Sequence, residues 1–387
     1  MSDLKLRIIK AKHGDSLLLI GKGAKILIDG GPSGVYNRFL RDQLADLEDE
    51  NGEPPILDLM MVSHIDADHI DGILDLTDEL LEAKEEERDP IVKIKSAWHN
   101  SFADVIAKSA NVGTASEVRS EAASVAGIFD EVDLPGINTH DSQMVLSSVA
   151  QGRQLRLDLK ALNVEINRHF HDRLAIVENI KSIWQAGNIS IELIGPTDTE
   201  IKKLQKEWKK QLKKILKKEA DLAGAAKGLD RSVSNLASLV CIVKGGNKSI
   251  LLTGDARGDM IVKWLEKAGK LKAGKTVTFD VIKLAHHGSI RNASPEFFKR
   301  VRARHYVVCG DGKHGNPEPA TLKMLFEARP KMDYDIYMTY GPEELNEHKE
   351  FKKHKNPAAL KKVLKICNRQ TMLKYPSSDE TYIDLDL

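Results

Sequence analysis

The sequence predicts an α/β protein with a sheet-on-sheet core and flanking helices. Three observations carry that expectation. Short apolar runs that read as strands gather at both ends of residues 1–320, with helical spacing between them. Several of these runs end on an aspartate or histidine followed by glycine or a polar turn. The chain has 387 residues, 41% hydrophobic and 30% charged, which suits one large domain with insertions, or two domains, and excludes a disordered chain.

The elements follow in order. "LKLRIIKAKHGDSLLLIGKGAKILIDGG" alternates and reads as two or three strands with glycine turns, ending on Asp29-Gly30-Gly31. "VYNRFLRDQLADLEDE" has helical spacing. "ILDLMMVSH" is a short buried strand, and "HIDGILDLTDELLEAKEEE" a helix stopped by Pro90. "IVKIKSAWHNSF" is the next strand, and residues 103–180 read as mostly helical. "SIWQAGNISIELIGPTD" returns to strands, and "EIKKLQKEWKKQLKKILKKEADLAGAAKG" reads as one long basic helix. "SLVCIVKGGNKSILLTGDA" is a hairpin through Gly245-Gly246, followed by a helix, "DMIVKWLEKAG". "FDVIKLAHHGS" and "RHYVVCGDGKHGNPEP" are strands with motif-bearing ends. Residues 321–387 add a helix, a Lys-rich loop and a final strand, "ETYIDLDL".

The formal net charge of +1 leaves any argument about partners to local clusters. Cys241, Cys309 and Cys367 are far apart and form no CxxC pair, as expected of reduced thiols. The N-terminus has no signal-peptide core and no segment reaches transmembrane length, so the expectation is a cytoplasmic protein without a membrane partner.

Four strand ends carry metal-type ligands: Asp29 in "LIDGG", the run "SHIDADHIDG", Asp255 in "LLTGDA", and His286-His287 in "KLAHHGS". Where strands converge on one rim, such residues meet in space. His64, Asp66 and Asp68 alternate, so an extended segment sends them to one side, while His69 faces a second direction at the turn into the helix. One loop can then serve two adjacent metals, with Asp255 and His286 suited to complete them. A lone aspartate at a strand end is more often a cap or turn residue. Four ligand-type residues within six positions are not explained that way.

"SHIDADHIDG" resembles the second motif of the metallo-β-lactamase superfamily, in the variant with Asp at the third position. That variant occurs in the hydrolase domain of ComEC-type DNA-uptake proteins. "HGDSLLLIGKGAKILIDGG" resembles the opening segment and first motif, "NLASLVCIV" the strand before the hairpin, "LLTGDA" the fourth motif and "KLAHHGS" the fifth. The resemblance covers roughly residues 5–325. It implies an αββα sandwich over 1–325, with a helical, Lys-rich insert at about 130–235 and a C-terminal extension, 326–387, packing on the same domain. It also implies two divalent metal ions, Zn or Mn. His64 and Asp66 would serve the first metal, and Asp68, His69 and His286 the second. Asp255 would bridge them, and Asp29 would support the loop from behind. Two positions depart from the pattern. Gly195 stands where the third-motif histidine belongs, and His99 is the expected substitute, ahead of His140, His169 and His171. Asn316 stands where related sequences often have His, and His314 is expected to take over substrate contact.

Two such metals lower the pKa of a shared water and stabilise charge on a phosphoryl or carbonyl oxygen. Asp66 and Asp68 shift the preference toward harder ions, which suits a phosphodiester. Asp68, His287 and His314 are the expected catalytic or phosphate-contacting residues, joined by Ser289. The stretch 201–218 has nine lysines beside an apolar stripe, and Lys209, Lys210, Lys213 and Lys214 are the expected nucleic-acid contacts. A solvated helix face or a regulatory lid explains the same pattern. "HKEFKKHKNPAALKKVLK" is a second basic cluster. The leading expectation is a nuclease acting on DNA or RNA, in keeping with a role in defence against foreign DNA. The long insert has the character of a lid or a docking element for a regulatory protein. The competing expectations are a hydrolase of small phosphodiesters, (thio)esters or lactones, and a non-catalytic or partner-regulated binding module.

Overall fold

The structure is a computed structural model and describes residues 4–47, 53–100, 140–206, 237–331, 333–367 and 372–387. Its first sheet contains β1 (Leu4–Ile9), β2 (Ser16–Gly21), β3 (Ala24–Gly30), β5 (Leu59–Met61), β7 (Ser96–Trp98), β8 (Glu165–Ile166) and β17 (Tyr382–Asp386). They run in the order β17-β1-β2-β3-β5-β7-β8. The second sheet contains β9 (Trp184–Ala186), β10 (Ile189–Gly195), β11 (Val240–Gly245) and β12 (Lys248–Leu252). It continues with β13 (Val277–Lys283), β14 (Val301–Val308), β15 (Asp335–Met338) and β16 (Leu373–Lys374), in the order β16-β15-β14-β13-β12-β11-β10-β9. A separate pair joins β4 (Ile56–Leu57) to β6 (Lys93–Ile94).

The period-two pattern of the strands explains the layering. Along β1–β3, Leu4, Leu6, Ile8, Leu17, Leu19, Ile26 and Ile28 point inward. There they meet Ile191, Leu193, Cys241, Val243, Ile250, Leu252, Val281 and Val307 of the other sheet. The alternate residues Leu18, Leu27 and Met60 point outward under α1 (Arg41–Ala45), α2 (Ala67–Glu85) and α3 (His140–Ala161). On the far side, Ile242, Leu251, Ile282 and Tyr306 pack under α4 (Gly258–Lys267) and the helices Pro295–Arg300 and Pro319–Ala328. Both faces of each sheet are therefore apolar, and the order of layers is αββα.

Each sheet changes from antiparallel to parallel part-way across. β3, β5, β7 and β8 are parallel, as are β12 to β16. The C-terminal ends of the parallel strands share one rim, and that is where ligands gather in sheets of this kind. Asp29 lies at the end of β3, and the His64 loop, Asp255 and His286-His287 follow β5, β12 and β13 in turn.

Two sequence expectations change. The stretch 130–235, expected as a helical insert apart from the strands read at 182–198, contains in its described part α3 and a helical segment at 198–206, those strands as β9 and β10, and also β8, where the sequence read as helical. Ile189, Ile191 and Leu193 alternate into the inter-sheet core, which a helix could not do. Residues 326–387 do more than pack on the domain, because β15 and β16 extend one sheet and β17 the other. Lys209, Lys210, Lys213 and Lys214 lie outside the described residues. Cys241 and Cys309 are buried free thiols. No helix among the described residues is long and apolar enough to cross a membrane.

Candidate metal centre

The loop after β5 builds the floor of the centre. Asp29, at positive φ (58°), accepts from the Ser63 backbone N–H and hydroxyl, both at 2.7 Å. It also accepts from His69 Nδ1 at 2.9 Å. Asp66 is the N-cap of α2, and the helix begins at Ala67. Asp68 is therefore in the first helical turn, not on an extended segment as the alternation suggested, and the chain curls there because His69 N–H bonds back to the Asp66 carbonyl at 2.9 Å. The curl still leaves His64, Asp66 and Asp68 with ligand atoms all within 4.8 Å of one another.

Helix α2 reaches this position because two glycines touch. A β-carbon on Gly72 would overlap the Gly30 carbonyl, and one on Gly30 would overlap the backbone of Gly72 and Ile73. Gly72→Ala is thus expected to push the ligand-bearing turn off β3, lowering stability by about 1–3 kcal/mol. Denaturant unfolding checks the stability, and metal analysis of the refolded variant checks the displacement.

The acidic and imidazole groups alternate around the centre. His64 Nε2 lies 3.7 Å from Asp66 Oδ2 and 3.5 Å from Asp255 Oδ2. His69 Nε2 lies 3.5 Å from Asp255 Oδ1 and 3.9 Å from Asp68 Oδ1. His287 Nε2 lies 3.3 Å from Asp68 Oδ2. His286 Nδ1 lies 3.6 Å from Asp255 Oδ2. Asp255 thus turns one oxygen toward His64 and His286 and the other toward His69.

Three buried partners fix the rings from behind. A carboxylate only accepts, so Asp29 assigns the proton of His69 to Nδ1. Asp15 does the same for His287, with Oδ1 3.1 Å from Nδ1. Asn292 donates from Nδ2 to the Asp255 carbonyl at 2.7 Å, so its Oδ1 is left to accept from His286 Nδ1 at 3.0 Å. In His69 and His287 Nε2 is the nitrogen left for a ligand, an orientation typical of metal-binding imidazoles. Asp15 is held in turn by an ion pair with the ammonium of Lys283, both side chains only 2% exposed.

This donor set fits a divalent cation. The buried Nε2 atoms of His64, His69 and His287, and Oδ1 of Asp255, make no hydrogen bond, although each faces an oppositely charged or chargeable group. Three triads, Asp15-His69-His287, His64-His69-Asp255 and His64-Asp66-Asp68, have ligand atoms within 4.8 Å. Electrostatics agree. Burial opposes charge on His287, but Asp15 and Asp68 outweigh it and raise its pKa to about 9. His69 is raised well above its usual value against the same burial by Asp29, Asp255 and Asp68. Burial would raise Asp255 and Asp68, yet the histidines hold both well below the usual carboxylate range. Asp66 is raised by burial and by Asp68 and Asp255. The centre attracts positive charge, and a metal would displace the imidazole protons.

His286 and His287 both adopt left-handed backbone conformations, with φ of 50° and 53°. That costs about 1–2 kcal/mol per residue for a side chain with a β-carbon. The strained turn sends the two adjacent rings to different carboxylates, His286 toward Asp255 and His287 toward Asp68. Such strain concentrates at functional sites.

Other residues singled out from the sequence are placed elsewhere. His99 is buried with Nε2 3.0 Å from the Gly152 carbonyl of α3, and the structure does not bring it into the cluster. Gly195 has no room for any side chain, because a β-carbon would overlap the Trp264 ring. His314 is exposed on the loop after β14, its backbone N–H on Glu350 at 2.8 Å. Asp15, Lys283 and Asn292 were not singled out. Only the apolar run ending in Lys283 and the place of Asp15 in the opening Gly14-Asp15 segment of the resemblance hinted at them.

Residues 10–108 match the metallo-beta-lactamase superfamily. That segment contains Asp15, Asp29 and the whole His64–His69 loop. The chain is similar to that superfamily over these residues. Its described layers are those expected of that fold. Over 74 residues the chain is 35% identical to microtubule-associated protein 1A of Mus musculus, a match spanning 19% of this chain and 3% of that protein. The human protein of the same name is 34% identical over 76 residues, again 19% and 3%. The chain thus matches only about 3% of the length of these curated relatives. Among solved structures it is similar to the metallo-beta-lactamase fold protein YhfI from Bacillus subtilis, at 10% identity and a TM-score of 0.39, covering 99% of both chains. It is also similar to CmlA, a diiron beta-hydroxylase from Streptomyces venezuelae, at 10% identity and a TM-score of 0.38, covering 99% of this chain and 54% of that one.

Proposed function

We propose that this metallo-beta-lactamase fold protein is a phosphodiesterase that uses two divalent ions, Mn²⁺ or Zn²⁺, and acts on nucleic acid, DNA foremost. The observation that carries the reading is the donor set: Asp66, Asp68 and Asp255 converge with four histidines, and Trp264 fills the space of a further imidazole at Gly195. Carboxylate-rich sites favour harder ions and suit phosphoryl oxygens.

His64, Asp66 and one oxygen of Asp255 would hold the first ion, with His286, expected at the second ion but facing the same Asp255 oxygen as His64, in the place that His99 was expected to fill. Asp68, His69, His287 and the other oxygen of Asp255 would hold the second. Bound there, the ions would acidify a water and polarise a phosphoryl oxygen. Asp29, Asp15 and Asn292 keep the imidazoles aimed, so the ligand geometry is set before substrate arrives. His314, on the outer loop, is proposed to contact substrate. The lysines of 201–218 are proposed to meet the phosphate backbone, and a regulatory protein to restrain the enzyme.

Incubation of purified protein with plasmid DNA, single-stranded RNA and bis(p-nitrophenyl) phosphate, with Mn²⁺, Zn²⁺ or EDTA, tests the proposal. Metal-dependent cleavage of nucleic acid that vanishes in Asp68→Ala is expected. Turnover of the small diester, a thioester or a lactone without nucleic-acid cleavage would move the substrate class. A metal-loaded protein inert on all of them would make it a binding module.

A further inference from the structure

One group of side chains borders the metal centre without belonging to its ligand set. Lys313 Nζ lies 3.2 Å from His13 Nε2. The rings of His13 and His314 meet edge to face, with centroids 5.7 Å apart. Two loops place the trio at the centre's rim. His13 precedes Gly14, whose α-carbon is pressed so closely on the Asp68 carbonyl that a β-carbon there would overlap it. The next residue, Asp15, donates its N–H to the same carbonyl at 3.2 Å and holds His287. On the other loop, Asn316 Nδ2 lies 3.4 Å from the His286 carbonyl, and Gly310 packs against the His287 side chain.

The chemistry of the trio points to an anion. Lys313 hydrogen-bonds an imidazole, and among the described residues no carboxylate stands within ion-pair distance of its ammonium. Its backbone N–H is taken by Asp311 Oδ1 at 2.9 Å, which fixes the loop. Burial and the Lys313 charge lower the His13 pKa to about 3, so His13 is neutral at physiological pH. His314 is steadied by Glu350, through its backbone N–H at 2.8 Å and its ring at 3.7 Å. Lysine is a compact point charge for phosphate, and a neutral imidazole that accepts at Nε2 carries its proton on Nδ1 as a directional donor.

We propose that Lys313, His13 and His314 form a subsite for a second phosphate of the substrate, adjacent to the diester that is cleaved. The subsite rests on the phosphodiesterase reading for its place in the reaction, but its occupancy is measurable without turnover. It would select phosphate chains or phosphorylated ends over isolated diesters. A terminal monoester and a neighbouring internal diester offer the same oxygens, so both sources are tested.

The test is isothermal titration of thymidine 3′,5′-bisphosphate and thymidine 5′-monophosphate into metal-loaded wild type, Lys313→Gln and Lys313→Arg. A charge-assisted contact predicts that the second phosphate tightens binding to wild type by about tenfold or more. Lys313→Gln should erase that gain, Lys313→Arg should keep part of it, and metal content and thermal midpoint should stay at wild-type values. If wild type binds the two nucleotides equally, or binds neither, or if Lys313→Gln keeps the gain, the subsite is overturned. A gain lost in Lys313→Gln from a protein that hydrolyses nothing would uphold the subsite and sink the phosphodiesterase reading. Hydrolysis without any gain would do the reverse. Cleavage of pTpT against TpTpT, each relative to TpT, then separates a terminal from an internal phosphate.

Discussion

Asp255→Asn is expected to abolish most metal binding and the proposed hydrolytic activity together. The substitution keeps shape and removes charge. Asp255 is 1% exposed and is the carboxylate whose two oxygens face both halves of the ligand set, His64 and His286 on one side and His69 on the other. An amide offers one neutral oxygen in place of two anionic ones, so neither half keeps its shared donor. Metal stabilisation of developing charge is worth several kcal/mol, so turnover should fall by about a thousandfold. Elemental analysis after desalting reads the metal, and initial rates on bis(p-nitrophenyl) phosphate read the activity. Two equivalents of metal retained in the variant would show that Asp255 bridges nothing.

Asp15→Ala is expected to be the costliest single change to stability among the residues around the centre. It leaves the Lys283 ammonium buried beneath the sheet rim without its counter-charge. Breaking one side of a buried pair costs about 3–5 kcal/mol, while replacing both partners by apolar residues is often close to neutral. Asp15→Ala should therefore shift the denaturant midpoint sharply, and adding Lys283→Met should recover most of the loss. The double variant would still lack the carboxylate that aims His287. Recovery of stability without recovery of metal affinity would separate the two roles of Asp15. A single variant as stable as wild type would mean that the pair is not buried in solution.

The legibility of the site in the sequence follows from the range of its interactions. His64, Asp66, Asp68 and His69 are local, and Asp255 and His286-His287 advertise themselves at strand ends. What the spacing could not supply was the partner of each ring. Asp15 reaches His287 across 272 residues and Asn292 reaches back to the Asp255 backbone, and neither pairing leaves a periodic trace. The alternation of His64, Asp66 and Asp68 suggested an extended run because the helix start at Ala67 is set by backbone bonding, which the ligand residues themselves obscure. Gly195 read as a missing ligand. Its packing against Trp264 explains the glycine by space instead. The two sheets were foreseen from their apolar runs, but the addition of β15, β16 and β17 to both of them depends on pairings of long range.

The pairing of β17 with β1 also sets a timetable. Arg7 is bonded to Asp384, 377 positions later, and Lys5 sits opposite Asp386 in the ladder. Contacts of such separation form late, because the chain between them must first be synthesised and closed. The strand waiting for that neighbour leads directly into the turn that holds His13 and Asp15. During translation the nascent polypeptide therefore carries its ligand residues without a finished edge to brace them. The turn that holds His13 and Asp15 would then gain its braced edge only when β17 docks on β1.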